Sequence, residues 1–340
     1  MRCYAGCWFR VRLVGMNKQL SFSASEYAGK KKATRRERFL GEMEEVVPWG
    51  NLIALIEPYY PKGERGRPPV GIERMLRIYF LSQWYGLADE ALEDAIYDSQ
   101  AMRNFIGVDL GGESVPDATT LLKFRHLLEE NELTRAIFEE IGRHLKAKQL
   151  MMKEGTIVDA TIISAPSSTK NAEGRRDPQM HQTRKGNQWY FGMKAHIGAD
   201  AKSGLVHSLE GTPANVSDVS QTKHLLHGEE KSVHADAGYT GVEKREEFEG
   251  SKIEWMVAQK KGRLKAMTDG LKKDLLREWE RRKAQVRARV EHPFHIVKNL
   301  FGYRKVRYRG LRKNLAQLHS LFALANLVIA GRMLRKAQMA

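Results

Sequence analysis

Two aspartates sit where strands rarely place them. The stretch "TIVDATII" sets Asp159 inside a β-branched run, although Asp is depleted in strands and costly to bury alone. In "SVHADAGYTG" a second short apolar strand ends at Asp236, and Gly238 allows a sharp turn directly after it. Seventy-seven residues separate the two, room for a hairpin, a third strand and a crossover helix. Such a path can bring the two strands side by side with both carboxylates on one edge of a sheet. Carboxylates that close repel, and one stays protonated unless a cation lies between them. Mg2+ suits the gap, because it takes oxygen ligands and keeps waters for a phosphate substrate.

A third acid is expected from a helix. "RARVEHPFHIVK" offers Arg287, Glu291, His295 and Lys298, which at about 100° per residue share one helical stripe. A salt-bridged surface helix has the same spacing. Beside two acidic strands, the better fit is a metal site that also grips a phosphate backbone. Pro293 is expected to kink this helix just past Glu291.

The elements that must position these residues follow from periodicity. Residues 42–57 read as helical, 59–69 as a Pro/Gly/Arg linker, and 71–150 as several short helices at three-four spacing, with Asp117 as an N-cap. This region suits a helix-turn-helix-like DNA reader or a plain bundle equally. At Gly155 the period changes to 2. Strands are expected at 155–164, 190–199, 204–210, 232–237 and 252–258, with helices near 218–227 and from 270 to 300. The fold class is therefore α/β, a mixed-sheet domain over 151–340 behind an all-α region over 71–150. Residues 16–70 supply a basic arm, a helix and the linker. Residues 1–15 read as a non-essential leader with Met16 as the natural start.

Composition sets the partner class. Fifty-seven Lys and Arg against 41 Asp and Glu leave a net charge of +16, which favours a polyanionic partner. Cys3 and Cys7 are the only cysteines, so a disulfide framework is excluded and a reducing cytoplasm fits. The apolar run near the C-terminus is interrupted by His319, Ser320 and Asn326. It reads as a buried terminal helix, too short for a bilayer, so no membrane partner is expected.

In order, these motifs resemble the DDE triad of bacterial insertion-sequence transposases, in particular the insertion sequence five family. "GTIVDATIISAPSSTKN", "HADAGYTG" and "RARVEHPFHIVK" each look like its motifs, as do "ERMLRIYFLSQWYGL" and "PDATTLLKFRHLLE". Its glutamate signature, Y-x2-R-x3-E-x6-K, is met by Arg287, Glu291 and Lys298, with Ala284 where Tyr is usual. The resemblance implies an RNase H-like catalytic domain in which Asp159, Asp236 and Glu291 hold two Mg2+ ions, with Mn2+ able to substitute. It also implies DNA terminal inverted repeats and target DNA as partners, strand cleavage and strand transfer as the reaction, and a homodimer or higher multimer on DNA. Cytoplasmic, nucleoid-associated residence goes with that.

Further DNA contacts are expected from Lys170, Arg175, Arg176, Arg184 and Lys185 in a long loop over 167–188, from Lys194 and Arg125, and from Lys305, Arg307 and Arg309 in a basic tract interleaved with tyrosines. His196 reads as a hydrogen-bonded structural residue and Asp218 as an N-cap. The rivals are a metal-dependent nuclease on the same fold, a transposase-derived DNA-binding regulator, and an RNA-binding basic protein. The regulator would be expected to lack a triad carboxylate, and all three are present. The RNA binder has no use for three convergent acids.

Overall fold

The computed structural model describes residues 27, 29–63, 68–152, 154–172, 174–260, 262 and 266–339. The proposed leader, its two cysteines and the Met16 start lie outside them. The basic run opens a helix: Thr34 Oγ1 accepts from the Glu37 N–H while the Glu37 carboxylate accepts from the Thr34 N–H, a capping box that begins α1 (Arg35–Val46). The single helix expected over 42–57 is two, α1 and α2 (Trp49–Ile56). Pro48 lacks an N–H and holds Val47 extended, so the first helix must stop.

Five helices follow: α3 (Ile72–Tyr85), α4 (Asp89–Asp98), α5 (Gln100–Ile106), α6 (Ala118–Glu130) and α7 (Leu133–Ala147). Asp117 caps α6 as expected, its carboxylate accepting from the Thr120 N–H at 2.6 Å. Met75 to Trp84 is buried without a break, so α3 is packed on every side rather than lying on a surface.

The sheet has six strands, β1 (Gly155–Ser164), β2 (His181–Lys185), β3 (Gln188–Asp200), β4 (Val206–Pro213), β5 (Ser232–Ala235) and β6 (Glu254–Val257). Its path is β2-β3-β1-β5-β6, with β4 also on β3. β1, β3 and β4 pair antiparallel, whereas β1, β5 and β6 pair parallel. The short α8 (Thr222–Leu225) lies on the crossover to β5. The loop expected over 167–188 ends earlier, because His181–Lys185 within it form β2. The Gly186–Asn187 step, with Gly186 at φ 62°, turns β2 into β3. No apolar alternation marks "HQTRK" as a strand.

After α9 (Leu271–Arg287) and α10 (Glu291–His295), the chain ends in α11 (Leu311–Met339). At 29 residues, α11 is longer than its interrupted apolar run suggested, and is long and apolar enough to cross a membrane. Its apolar window is nonetheless 89% buried inside the fold. One hydrophobic core runs from α1–α7 through α11 to the sheet, so the helical half and the sheet domain pack as one body. Asn326 pins α11 to β4: its amide donates to the Val206 carbonyl at 2.7 Å and accepts from the Val206 N–H at 2.8 Å. Replacing Asn326 by Leu leaves both backbone groups buried and unmet, at about 1–3 kcal/mol each. Urea unfolding of Asn326→Leu should show a loss of roughly 2–4 kcal/mol; a loss below about 1 kcal/mol would mean the pin is not holding the two layers.

Candidate active site

Strand register brings the two aspartates together. β1 and β5 pair in parallel through Thr156–Val233 and Ile157–His234. Two residues further along both strands, the same register sets Asp159 beside Asp236, and pairing stops there. Beyond that point β1 keeps its ladder with β3 on one side, while on the other it meets no strand among the described residues until the Ser164–Lys305 bridge at its end, leaving a crevice at the carboxyl ends of parallel strands, where α/β sheets place their sites. Asp236 caps the 3-10 turn Ala237–Tyr239, Oδ1 accepting from the Gly238 N–H at 2.8 Å. Asp159 Oδ1 accepts from the Ala160 N–H at 2.8 Å. Each carboxylate is thus oriented through one oxygen.

A cavity of about 670 Å3 opens here, lined by Asp159, Asp236 and Glu291 together with Lys185, His295 and Lys298. Glu291 is exposed and opens α10. The kink expected past Glu291 instead brackets it. Ala288–Val290 is a tight 3-10 turn before it, and Ile296–Leu300 is a π turn after His295. Pro293 falls in the first turn of α10, where a missing N–H costs little. Glu291, His295 and Lys298 therefore still face the cavity. Arg287 does not line it, but its charge opposes the rise in the Asp159 pKa. Lys298 Nζ donates to the Ile162 carbonyl at 2.8 Å, tying the π turn to β1. Burial pushes the Lys298 ammonium below the usual amine range, and Lys185 and Arg304 add to the fall.

Burial pushes the Asp159 carboxyl up to about 6, and Asp236 adds to the rise; the Ala160 N–H, Arg287 and Lys185 oppose it. A carboxylate so crowded is short of positive charge, and the three carboxylates offer the oxygen donors that a hard divalent cation takes. Among the described residues no three His, Cys, Asp or Glu side chains form a ready-made cage for one ion. The three carboxylates line a shared cavity without closing on a point. Glu291, exposed and with three side-chain torsions, is the one free to swing in.

The other candidates divide into two groups. Lys170, Arg175, Arg176, Arg184 and Lys185 are exposed, and Lys185 reaches the cavity from the hairpin. Arg176 also holds its own loop, donating to the Ser167 carbonyl at 2.8 Å. Lys305, Arg307 and Arg309 are exposed as well; Arg307 donates to the Gly86 carbonyl at 2.9 Å and so buttresses the end of α3. Two candidates are spent inside the fold. Arg125 makes a bidentate pair with Asp89, at 2.8 and 2.7 Å, under the Tyr308 ring. Lys194 pairs with Asp218 at 2.9 Å and donates to the Val216 carbonyl. Both are largely buried, so neither is offered to DNA. Asp218 heads a 3-10 turn without capping it through its side chain, because its own backbone is already helical (φ −63°, ψ −38°). His196 is fully buried and 2.8 Å from the Thr212 hydroxyl.

Residue types alone gave no signal for Asn299 and Arg304, which also line the cavity; Arg304 is held there by donating to Asn299 Oδ1 at 2.5 Å. Tyr239 was likewise missed. It is buried beneath the two aspartates, and burial together with Asp218, Asp159 and Asp236 holds its hydroxyl protonated.

Two family models match the chain. One, described as "Transposase DDE domain", covers residues 151–327, just over half of it. The other, described as "Transposase domain (DUF772)", covers residues 29–127. No solved structure matches the chain. A sheet of three antiparallel and two parallel pairings framed by helices is thus the RNase H-like fold of a DDE domain, and the protein belongs to the DDE transposases. Members of this family cut DNA, transfer its strands and use divalent metal ions.

The raised Asp159 pKa fixes a pH dependence of stability. The folded state binds this proton more tightly than the unfolded chain, so ionisation opposes folding as pH rises from about 4 to about 6. Above that window the penalty is constant, at up to about 3 kcal/mol. Without divalent ions, Asp159→Asn should therefore be more stable than the parent at pH 8 by up to that amount, and the gain should vanish below pH 4. Unfolding curves at both pH values check this, and equal stability at pH 8 would contradict it.

Proposed function

We propose that the protein binds the terminal inverted repeats of a mobile DNA element and catalyses Mg2+-dependent strand cleavage and strand transfer there. The observation that carries this reading is that three carboxylates from β1, the end of β5 and α10, far apart in sequence, line one cavity with cations around it. Asp159, Asp236 and Glu291 would hold two Mg2+ ions, for which Mn2+ could substitute. Bound there, the ions would activate a water or a DNA 3′-hydroxyl and stabilise the leaving oxygen.

The chain's own residues supply the rest. β1 holds Asp159 between two neighbouring strands at its base, so the first ligand is rigidly mounted. Lys185, Lys298 and Arg304 place positive charge around the same cavity, where it would orient a phosphate without reacting. Arg287 offsets the negative charge at Asp159 from outside the cavity. Lys170, Arg175 and Arg184 on the exposed loop and hairpin, with Lys305 and Arg309 beyond the π turn, would hold DNA flanking the cut. Two copies of the protein, one per DNA end, are part of this reading.

The test is incubation with a terminal-repeat duplex and Mg2+, scoring cleavage and, on a pre-cleaved end with a free 3′-hydroxyl, joining to target DNA. Parent protein should do both, and Asp159→Ala, Asp236→Ala and Glu291→Ala should each lose roughly a thousandfold or more. Cleavage without joining would favour the nuclease rival. Undiminished activity of Asp159→Ala would remove the triad assignment.

A further inference from the structure

A second groove, of about 570 Å3, shares His295 with the catalytic cavity. His292, from the same short helix, also lines it. Its other charged walls are basic: Lys202 and Arg289 on one part, Arg332, Arg335 and Lys336 of α11 on another. Among the described residues, no carboxylate lines it. Arg335 is committed to Glu42 at 2.6 Å, and Arg289 donates to the Ala201 carbonyl at 2.6 Å. Lys202, Arg332 and Lys336 are exposed and have no ion-pair partner among the described residues. Gathering these charges without counter-charge raises the local potential, and a polyanion would relieve it. Ile329 and Met333 form an apolar floor between them, suited to the C–H faces of deoxyribose.

We propose that this groove carries the DNA backbone onward from the catalytic cavity, with Lys202, Arg332 and Lys336 contacting successive phosphates. The proposal rests on the DNA-cutting reading above. An acidic peptide would match the charge equally. Continuity decides for DNA: a polymer whose phosphate sits beside Glu291 and His295 must continue somewhere, and His295 opens directly onto this groove. A separate peptide gives no reason for the two spaces to share a wall.

The experiment uses full-length protein and a fluorescein-labelled 30-base-pair duplex of arbitrary sequence, titrated by anisotropy at several NaCl concentrations. The triple variant Lys202→Gln/Arg332→Gln/Lys336→Gln should bind at least tenfold more weakly at intermediate salt. Its slope of log affinity against log salt should be shallower by about 2–3. A control of equal charge loss, Lys146→Gln/Lys148→Gln/Lys252→Gln, should bind like the parent. Equal weakening of both variants, or of neither, overturns the groove. Labelled polyglutamate that outcompetes the duplex on the parent, and loses affinity in the groove variant, overturns DNA as its occupant. A parent that neither binds nor cuts DNA removes the cutting reading and the groove with it. A parent that cuts while the groove variant binds normally removes the groove alone. Should the triple variant melt early, Lys336→Gln alone carries the test, with a slope shallower by about one.

Discussion

The parallel register of β1 on β5 is the constraint on which the site depends. Side chains alternate faces with a period of two, so Ile157 opposite His234 commits Asp159 and Asp236 to the same level. A one-residue slip would turn one aspartate to the other face and separate the pair. Two features hold the register. β1 is hydrogen-bonded to β3 over nine consecutive residue pairs, from Thr156–Asp200 to Ser164–Gly192. On the other side, Val158 packs with Val233, Ala235, Leu225 and Tyr239 in a small core of its own beneath the crevice. The opening in the sheet is therefore where pairing ends and not where packing fails.

The electrostatic design is a small acidic centre in a basic molecule. With a net charge of +16, the molecule suits a polyanion, whereas the proposed chemistry calls for clustered carboxylates that oppose one another's ionisation. The structure reconciles the two through the partners it gives the cations. Lys185, Lys298 and Arg304 share the cavity, but Lys298 is tied to the Ile162 carbonyl and Arg304 to Asn299 rather than to an acid of the triad. On the proposed reading this leaves the carboxylates for a cation and the ammonium and guanidinium groups for phosphate.

Much of this was legible in the sequence. Asp159 stood out because a charge interrupts a β-branched run, and β1 spans the residues expected of it. Glu291, His295 and Lys298 were found by helical spacing, which survives because the 3-10 and π turns around α10 keep right-handed backbone throughout. What could not be read was whatever depends on partners distant in sequence. Arg125 and Lys194 look like free cations until Asp89 and Asp218 arrive in space. β2 has no apolar face to reveal it, and the groove beside α11 joins residues more than a hundred positions apart. The extent of α11 was hidden by Asn326 and His319, polar side chains that read as interruptions and are buried in the fold, Asn326 hydrogen-bonded to Val206.

Joint binding of divalent cations by Asp159, Asp236 and Glu291 is the proposal on which the proposed chemistry depends. Anomalous diffraction from crystals soaked in Mn2+ tests it most directly. Two manganese peaks roughly 4 Å apart are expected in the cavity, with Asp159 contacting both and Asp236 and Glu291 completing them. Manganese bound elsewhere, with the three carboxylates unliganded at saturating metal, would contradict it.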